Sequence, residues 1–425
     1  MKVMLKIKNV QLPDGKRADI IIEGSKIKSV GEVTPSEEGI DGAGLIVIPG
    51  VIDPHVHFRI PGGAHKEDWE TGSRAALKGG VTTVFDMPNT WPPLTTWERL
   101  EEKREIISAT SKIQARFWFG ATNNNLDEIV AVSHEPDIIG VKVFMGSSTG
   151  DLLITEEKDL KRIFSICAEN NLVVGVHSED EILMRTKRSS LKRNPQISDH
   201  NWLRDTEVEV SAVRSVISLA RETGCRLYLC HLSTPEAVEI ALRAKESGYP
   251  VFIEVTPHHI TLDESQLQRN NGRYFKTNPP LRTPKQVVRL REYVCRGYVD
   301  TIGSDHAPHT REEKQKEKYD DIPSGVPGVE TLLPIIFNLV AEGKLTLESL
   351  VNLTSANAVK IFGLSLKGKI EPGYDADLVL IDPNQTITIH NSDMASKCGW
   401  TPYDGMTVKG IPKITIIGGT VVMSR

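Results

Sequence analysis

Cysteine is scarce in this chain. There are five among 425 residues (Cys167, Cys225, Cys230, Cys295 and Cys398), and no two stand in a C-x-x-C pair. An odd, widely spaced set excludes a disulfide framework and points to a reducing compartment. Long apolar runs are missing too: no 18-residue apolar stretch exists, so no membrane span is expected. The N-terminal MKVMLKIKNVQLPDGK lacks the apolar core and small-residue cleavage site of a secretory signal. Neither sign of charge is in excess. With 51 basic and 56 acidic residues the net charge is −5, which disfavours a nucleic-acid binder led by bulk charge. Only 33 Gly and 24 Pro exclude collagen-like sequence, and 39% hydrophobic residues argue against disorder. The chain also has no G-x-x-x-x-G-K-[ST] and no G-x-G-x-x-G after a strand, so a nucleotide cofactor is not implied. A cytoplasmic protein without nucleic-acid or membrane partners is expected.

What is present is a change of rhythm near Gly50. Residues 3–10, 18–22, 26–30 and 45–48 are short apolar runs separated by Pro13-Asp14-Gly15, Gly24-Ser25 and Gly42-Ala43-Gly44, the pattern of a small β unit. Beyond Gly50, short β-branched runs alternate with amphipathic helical stretches, as in repeated βα units. Eight strands are predicted: 51–57, 81–86, 115–120, 140–144, 172–177, 226–231, 251–256 and 301–305. His55 and Asp305 lie about 250 residues apart, the usual extent of a closed barrel. Helices are predicted over 66–78, 156–170, 205–223, 235–247 and 330–342, several ending at a Gly or Asn. Short strands return at 377–381, 386–389, 413–417 and 420–423. The expected fold is α/β: a (β/α)₈ TIM-like barrel over residues 51–364. A small β-sandwich domain is expected from the N- and C-terminal segments, 1–50 and 365–425.

The ends of these strands carry the chemistry. The first ends in His55-Val56-His57, and residues two apart on a strand face the same side. The fifth ends in His177, the sixth in His231, and the eighth in Asp305. In a barrel, C-terminal strand ends converge on one mouth, and four imidazoles with one carboxylate suit a borderline-soft divalent metal. One such histidine alone is more often a hydrogen-bonded core residue; five residues on one rim are not. His65, His134, His200 and His390 lie in polar stretches and are expected in solvent. His258 and His259, after the seventh strand, are read as packing, with support of the ligands from behind as the alternative.

Lys142 sits inside the apolar run Gly140-Val141-Lys142-Val143-Phe144. A buried ammonium loses its proton or finds an anion. The residues alone leave three readings open: an ion pair, a stem that snorkels, or an amine that captures CO₂ as a carbamate bridging two cations. Groups suited to anions also gather on the rim: Arg59 after the first strand, Asn89 after the second, Asn278 after the seventh and His309 after the eighth. Pro323–Gly328 could bring backbone amides to a ligand.

Together these residues resemble the amidohydrolase superfamily, and within it the dihydroorotases. The resemblance runs nearly end to end. It covers DPHVHFRIPGGAHKEDWETGSRAA from Asp53, GGVTTVFDMPNT from Gly79, GVKVFMGSSTG from Gly140, VHSED from Val176 and HLST from His231. It continues through EVTPHH from Glu254, NPPLR from Asn278, GSDHAPHT from Gly303, GVPGVET from Gly325 and EPGYDADLVLID from Glu371. The H-x-H pair and the eighth-strand Asp are shared across the superfamily; the Phe-Arg after H-x-H, the MPNT and the SDHAPH segments are more specific. Ile60 departs from the family, many members of which carry Glu there.

The resemblance implies a binuclear zinc centre, with His55, His57 and Asp305 on one ion, His177 and His231 on the other, and carboxylated Lys142 between them. It implies hydrolysis of dihydroorotate to N-carbamoyl-L-aspartate, reversibly, with Asp305 shuttling the proton. Arg59, Asn89 and His309 would grip the unreacting carboxylate, and Asn278 with the Ser324–Gly325 backbone the ring amides. A homodimer and an association with aspartate transcarbamoylase are left open. The alternatives are another cyclic amidase, allantoinase or hydantoinase, and a catalytically silent assembly homologue.

Overall fold

The fold is a computed structural model describing residues 4–32, 39–147 and 152–425. Val3 of the first predicted run, and Ser148, Thr149 and Gly150 of the fourth-strand motif, lie outside the described residues.

The chain starts with β1 (Met4–Gln11), β2 (Arg17–Glu23) and β3 (Lys26–Gly31), an antiparallel meander turned at the expected Gly-containing sites. β4 (Ile40–Asp41) and β5 (Ile46–Pro49) run parallel to β1. Eight barrel strands follow: β6 (Val51–Val56), β7 (Val81–Asp86), β8 (Gln114–Gly120), β9 (Ile138–Phe144), β10 (Val173–His177), β11 (Arg226–Leu229), β12 (Val251–Val255) and β13 (Thr301–Ile302). Each pairs in parallel with the next. A parallel bridge from Val56 to His306 joins the two ends of the sheet. Every residue of β6, β7, β9 and β10 is buried, as a parallel sheet covered on both faces requires.

Helices cover the outside because the sequence caps them there. Asp68 accepts the Thr71 amide at the start of Trp69–Lys78. Thr234 does the same before Pro235–Glu246, and Thr206–Thr223 ends at the left-handed Gly224. On the last, Val208, Ala212, Val213, Val216, Ile217 and Ala220 form the buried stripe. Inside the barrel, Phe85, Trp118 and Tyr228 fill the lower space, and Phe362 packs on all three. That floor leaves the opposite end, where the strands finish, for a site.

β14 (Leu378–Thr388), β15 (Thr407–Ile417) and β16 (Thr420–Ser424) bring the chain back to β5. The sheet runs β16-β15-β14-β5-β1-β2-β3, with β4 beside β1. Its far end returns to its middle through the Lys26–Asp375 bridge and an Ile27 N–H to Tyr374 carbonyl bond of 2.9 Å. Ile7, Ile20, Ile27, Val47, Leu378 and Ile416 thus share one apolar core. Both ends of the chain build this one unit, as expected. Two of the predicted tail strands, 377–381 and 386–389, are a single strand. The gap between them is a register shift at Asp382–Thr386, where the Asp382 carboxylate takes the amides of Asn384 and Gln385.

Candidate active site

β6 delivers His55 and, one residue past its end, His57. Their Nε2 atoms lie 3.4 and 3.2 Å from Oδ1 of Asp305. Each opposite nitrogen is braced: His55 Nδ1 donates to Glu254 at 2.8 Å, and His57 Nδ1 lies 2.8 Å from Asn89 Oδ1. His177, the last residue of β10, gives its Nε2 proton to Glu179 at 2.8 Å and turns Nδ1 to His231 Nε2, 3.0 Å away. The tautomers so fixed turn the Nε2 lone pairs of His55 and His57 toward the Asp305 carboxylate and the Nδ1 lone pair of His177 toward His231. His231 Nδ1, also buried, has no hydrogen-bond partner among the described residues. An array of lone pairs converging on an anion repels itself unless a cation lies among them.

Burial alone would depress His55, yet the carboxylates of Glu254 and Asp305 outweigh it and raise the imidazole to about 10. Burial pushes His57 down to about 4, with Arg59 adding to it, and burial lowers His177 and His231 as well. Burial opposes ionisation of Asp305, but the surrounding imidazoles hold it well below the usual carboxylate range. His57, His177 and His231 are thus neutral beside an ionised Asp305, as metal binding needs, whereas His55, between two carboxylates, holds a proton that a metal ion would displace. His55, His57 and Asp305 form one group with the spacing to hold a metal ion.

β11 and β13 stop short of His231 and Asp305, and the sequence reading had both strands reaching them. The chain turns instead. His231 (φ 36°), Asp305 (φ 46°) and Arg59 (φ 65°) are three of six non-glycine residues with positive φ among those described. Left-handed backbone costs such residues on the order of 1–2 kcal/mol. The turns aim the side chains inward where a strand would have carried on upward.

Lys142 is fully buried on β9, so its stem does not snorkel. Its Nζ donates to Cys230 Sγ at 2.9 Å and lies 5.0 Å from the Phe144 ring centre. Among the described residues no carboxylate stands within 4.0 Å of it.

A cavity joins these groups. It is lined by His55, His57, His177, His231 and Asp305, and equally by Arg59, Asn89, Asn278, Ser324 and Gly325. Burial lowers Arg59 to about 10, with Asp305 and Asp86 opposing, so it stays cationic at neutral pH. His309 does not line the cavity. It is buried behind Arg59, with Nε2 3.2 Å from Nη2 of Arg59 and 3.0 Å from the Ser324 carbonyl. Gly325 has φ +133°, and a Cβ there would meet the Ala307 carbonyl at 2.6 Å, so only glycine lets the loop approach this closely. Asn278 and Ser324 also border a neighbouring cavity of about 290 Å³, whose wall includes Arg188, Arg204 and Lys276.

Residues 46–422 match the model of the amidohydrolase family. The chain belongs to that family. Among its relatives is the dihydroorotase of Halobacterium salinarum, 38% identical over 98% of this chain and 96% of that one. The dihydroorotase of Methanosphaera stadtmanae is 36% identical over the same shares of the two chains. Of solved structures, the L-hydantoinase (dihydropyrimidinase) from Arthrobacter aurescens superposes with a TM-score of 0.95 at 31% identity, covering 100% of this chain and 96% of that one. This amidohydrolase is thus a cyclic amide hydrolase by kinship, on a metal-dependent scaffold. Among the described residues no helix is long and apolar enough to cross a membrane.

Several polar residues of the amidohydrolase site were not singled out in the sequence. Glu254 stands in the buried strand VFIEV, and the argument that flagged Lys142, a charge inside an apolar run, applies to it equally. Glu179 binds His177 and is itself bound by Arg204; burial opposes its ionisation, but Arg204 and His177 take it down to about 2. One reading is corrected. His200 is fully buried, not solvated, because its nitrogens are satisfied by the Tyr319 hydroxyl and the Thr277 carbonyl, each at 2.8 Å. His65, His134 and His390 are exposed, as expected. His259 is packed and hydrogen-bonded to Thr256 and Pro279.

Proposed function

We propose that this amidohydrolase is a dihydroorotase, catalysing reversible hydrolysis of (S)-dihydroorotate to N-carbamoyl-L-aspartate in de novo pyrimidine synthesis, in the cytoplasm. The observation that carries the reading is the shared lining of one cavity: four imidazoles and Asp305 together with Arg59, Asn89, Asn278, Ser324 and Gly325. Hydantoin has no carboxylate for Arg59 to hold, and allantoinases typically have Asn at that place.

His55, His57 and Asp305 would hold one zinc ion and His177 and His231 the other, with N-carboxylated Lys142 between them. Two divalent cations so held lower the pKa of water toward neutrality and polarise an amide carbonyl. Asp305, anionic at neutral pH, takes the proton of the attacking water and passes it to the ring nitrogen as the C–N bond breaks. Arg59 and Asn89, with His309 behind, grip the carboxylate that does not react. Asn278 and the Ser324–Gly325 backbone hold the ring amides. All these contacts come from the catalytic unit of residues 51–364; residues 1–50 and 365–425 form the second domain and supply none.

Assays of the purified, zinc-loaded protein on dihydroorotate, hydantoin and allantoin test the reading. Turnover of dihydroorotate far above the other two is expected. Good turnover of hydantoin or allantoin with none of dihydroorotate sinks it in favour of the other cyclic amidases.

A further inference from the structure

Beneath the site lies a carboxylate that touches neither the cavity nor solvent. Glu254 is fully buried on β12, where an unpaired charge is costly and a satisfied one is held rigidly. Its Oε1 accepts from His55 Nδ1 and from the backbone N–H of His231, both at 2.8 Å. Its Oε2 accepts from the Tyr228 hydroxyl at 2.8 Å, and Tyr228 contacts Thr301 Oγ1 at 2.7 Å. Gly303 closes the shell: a Cβ there would stand 2.8 Å from the Glu254 carboxyl. One side chain on β12 thereby ties β6, the end of β11 and β13 together.

The two donors on Oε1 belong to different halves of the site. His55 faces Asp305 and His57; His231 faces His177. The Glu254 bond to His55 leaves Nε2 with its lone pair toward Asp305. The bond to the His231 amide pins a left-handed turn that would otherwise relax. We propose that Glu254 is a positioning residue that couples the two halves: it fixes the His55 tautomer and the His231 backbone at once, so that both metal positions are set by one group. The inference rests on the metal reading above and extends it to a residue that touches neither ion.

The test uses the zinc-loaded enzyme. Zinc affinity at each position is measured by chelator competition for wild type, Glu254→Ala and Glu254→Gln, with folding checked by circular dichroism. Glu254→Ala is expected to weaken both positions together by roughly 10–100-fold, the usual cost of losing such a partner. Glu254→Gln recovers most of that loss, since its carbonyl oxygen can accept both N–H groups. A folded Glu254→Ala protein with wild-type affinity at either position overturns the proposal. Should that variant fail to fold, a long-range ¹H–¹⁵N spectrum of zinc-loaded wild type decides: the Nδ1–H form at His55 supports the coupling, and the Nε2–H form overturns it. Wild-type protein that binds no zinc refutes the metal reading itself, and this inference with it; two zinc ions bound equally by wild type and Glu254→Ala refute the inference alone.

Discussion

Arg59 and His309 meet behind the cavity wall, with guanidinium Nη2 3.2 Å from imidazole Nε2. Burial, reinforced by Arg59, holds His309 far below the ordinary histidine range. The pair therefore carries one positive charge, on Arg59. Lys66 donates to the other His309 nitrogen at 3.2 Å and Nε2–H donates to the Ser324 carbonyl at 3.0 Å, so the imidazole is held in place beside the guanidinium.

Arg59→Met should lower kcat/KM for dihydroorotate by roughly 2–5 kcal/mol, the scale for losing a charge partner at a desolvated site. Any residual hydantoin turnover should change far less. Steady-state kinetics on both substrates would show it; a kinetically silent Arg59→Met means the carboxylate is held elsewhere.

Lys142→Ala should lose both bound metal and activity, since no acid among the described residues stands near enough to replace the carbamate. Zinc content by elemental analysis, with activity measured in added acetate or propionate, checks this. Partial rescue by the small carboxylate is expected.

Lys314 is fully buried and donates to the carbonyls of Lys276, Pro323 and Gly325 at 3.1, 2.9 and 3.0 Å. It holds the loop that carries Ser324 and Gly325. Lys314→Met should cost about 1–3 kcal/mol for the orphaned carbonyls and raise KM more than it lowers kcat. Urea unfolding and substrate saturation curves measure the two effects separately.

Burial, with Arg204 and Lys276 nearby, depresses His200 to about 3. An unfolded chain binds a proton at this residue below pH 6.5 and the folded one does not. Its contribution to stability is therefore complete above pH 6.5, is lost as pH falls toward 3, and is on the order of 4–5 kcal/mol at most. Urea midpoints across that window should fall for wild type and less steeply for His200→Gln. Equal slopes would show that His200 is protonated in the fold.

The barrel was legible because its strands are apolar on both faces and its helices carry their own caps. β7 runs over the residues the pattern marked, and β9 begins only slightly earlier. What the pattern could not carry was the path after a strand stops. β11 ends at Leu229 and β13 at Ile302, and His231 and Asp305 reach the cavity through left-handed turns that no run of residue types announces. The sequence puts His309 on the rim but does not show that it stands behind Arg59, 3.2 Å from its guanidinium. His200 was misjudged because its neighbours in sequence are polar while its neighbours in space, Thr277 and Tyr319, come from distant segments. Glu254 was visible as an acid in a buried strand, yet its role depends on two donors that arrive from other strands.

The proposed chemistry depends on a pair of cations bridged through Lys142. Anomalous diffraction at the zinc edge, from crystals of catalytically active protein, tests it most directly. Two peaks are expected, one among His55, His57 and Asp305 and one beside His177 and His231, with density for a carboxyl group on Lys142 Nζ between them. A bare amine with no anomalous peak in the cavity would contradict the account.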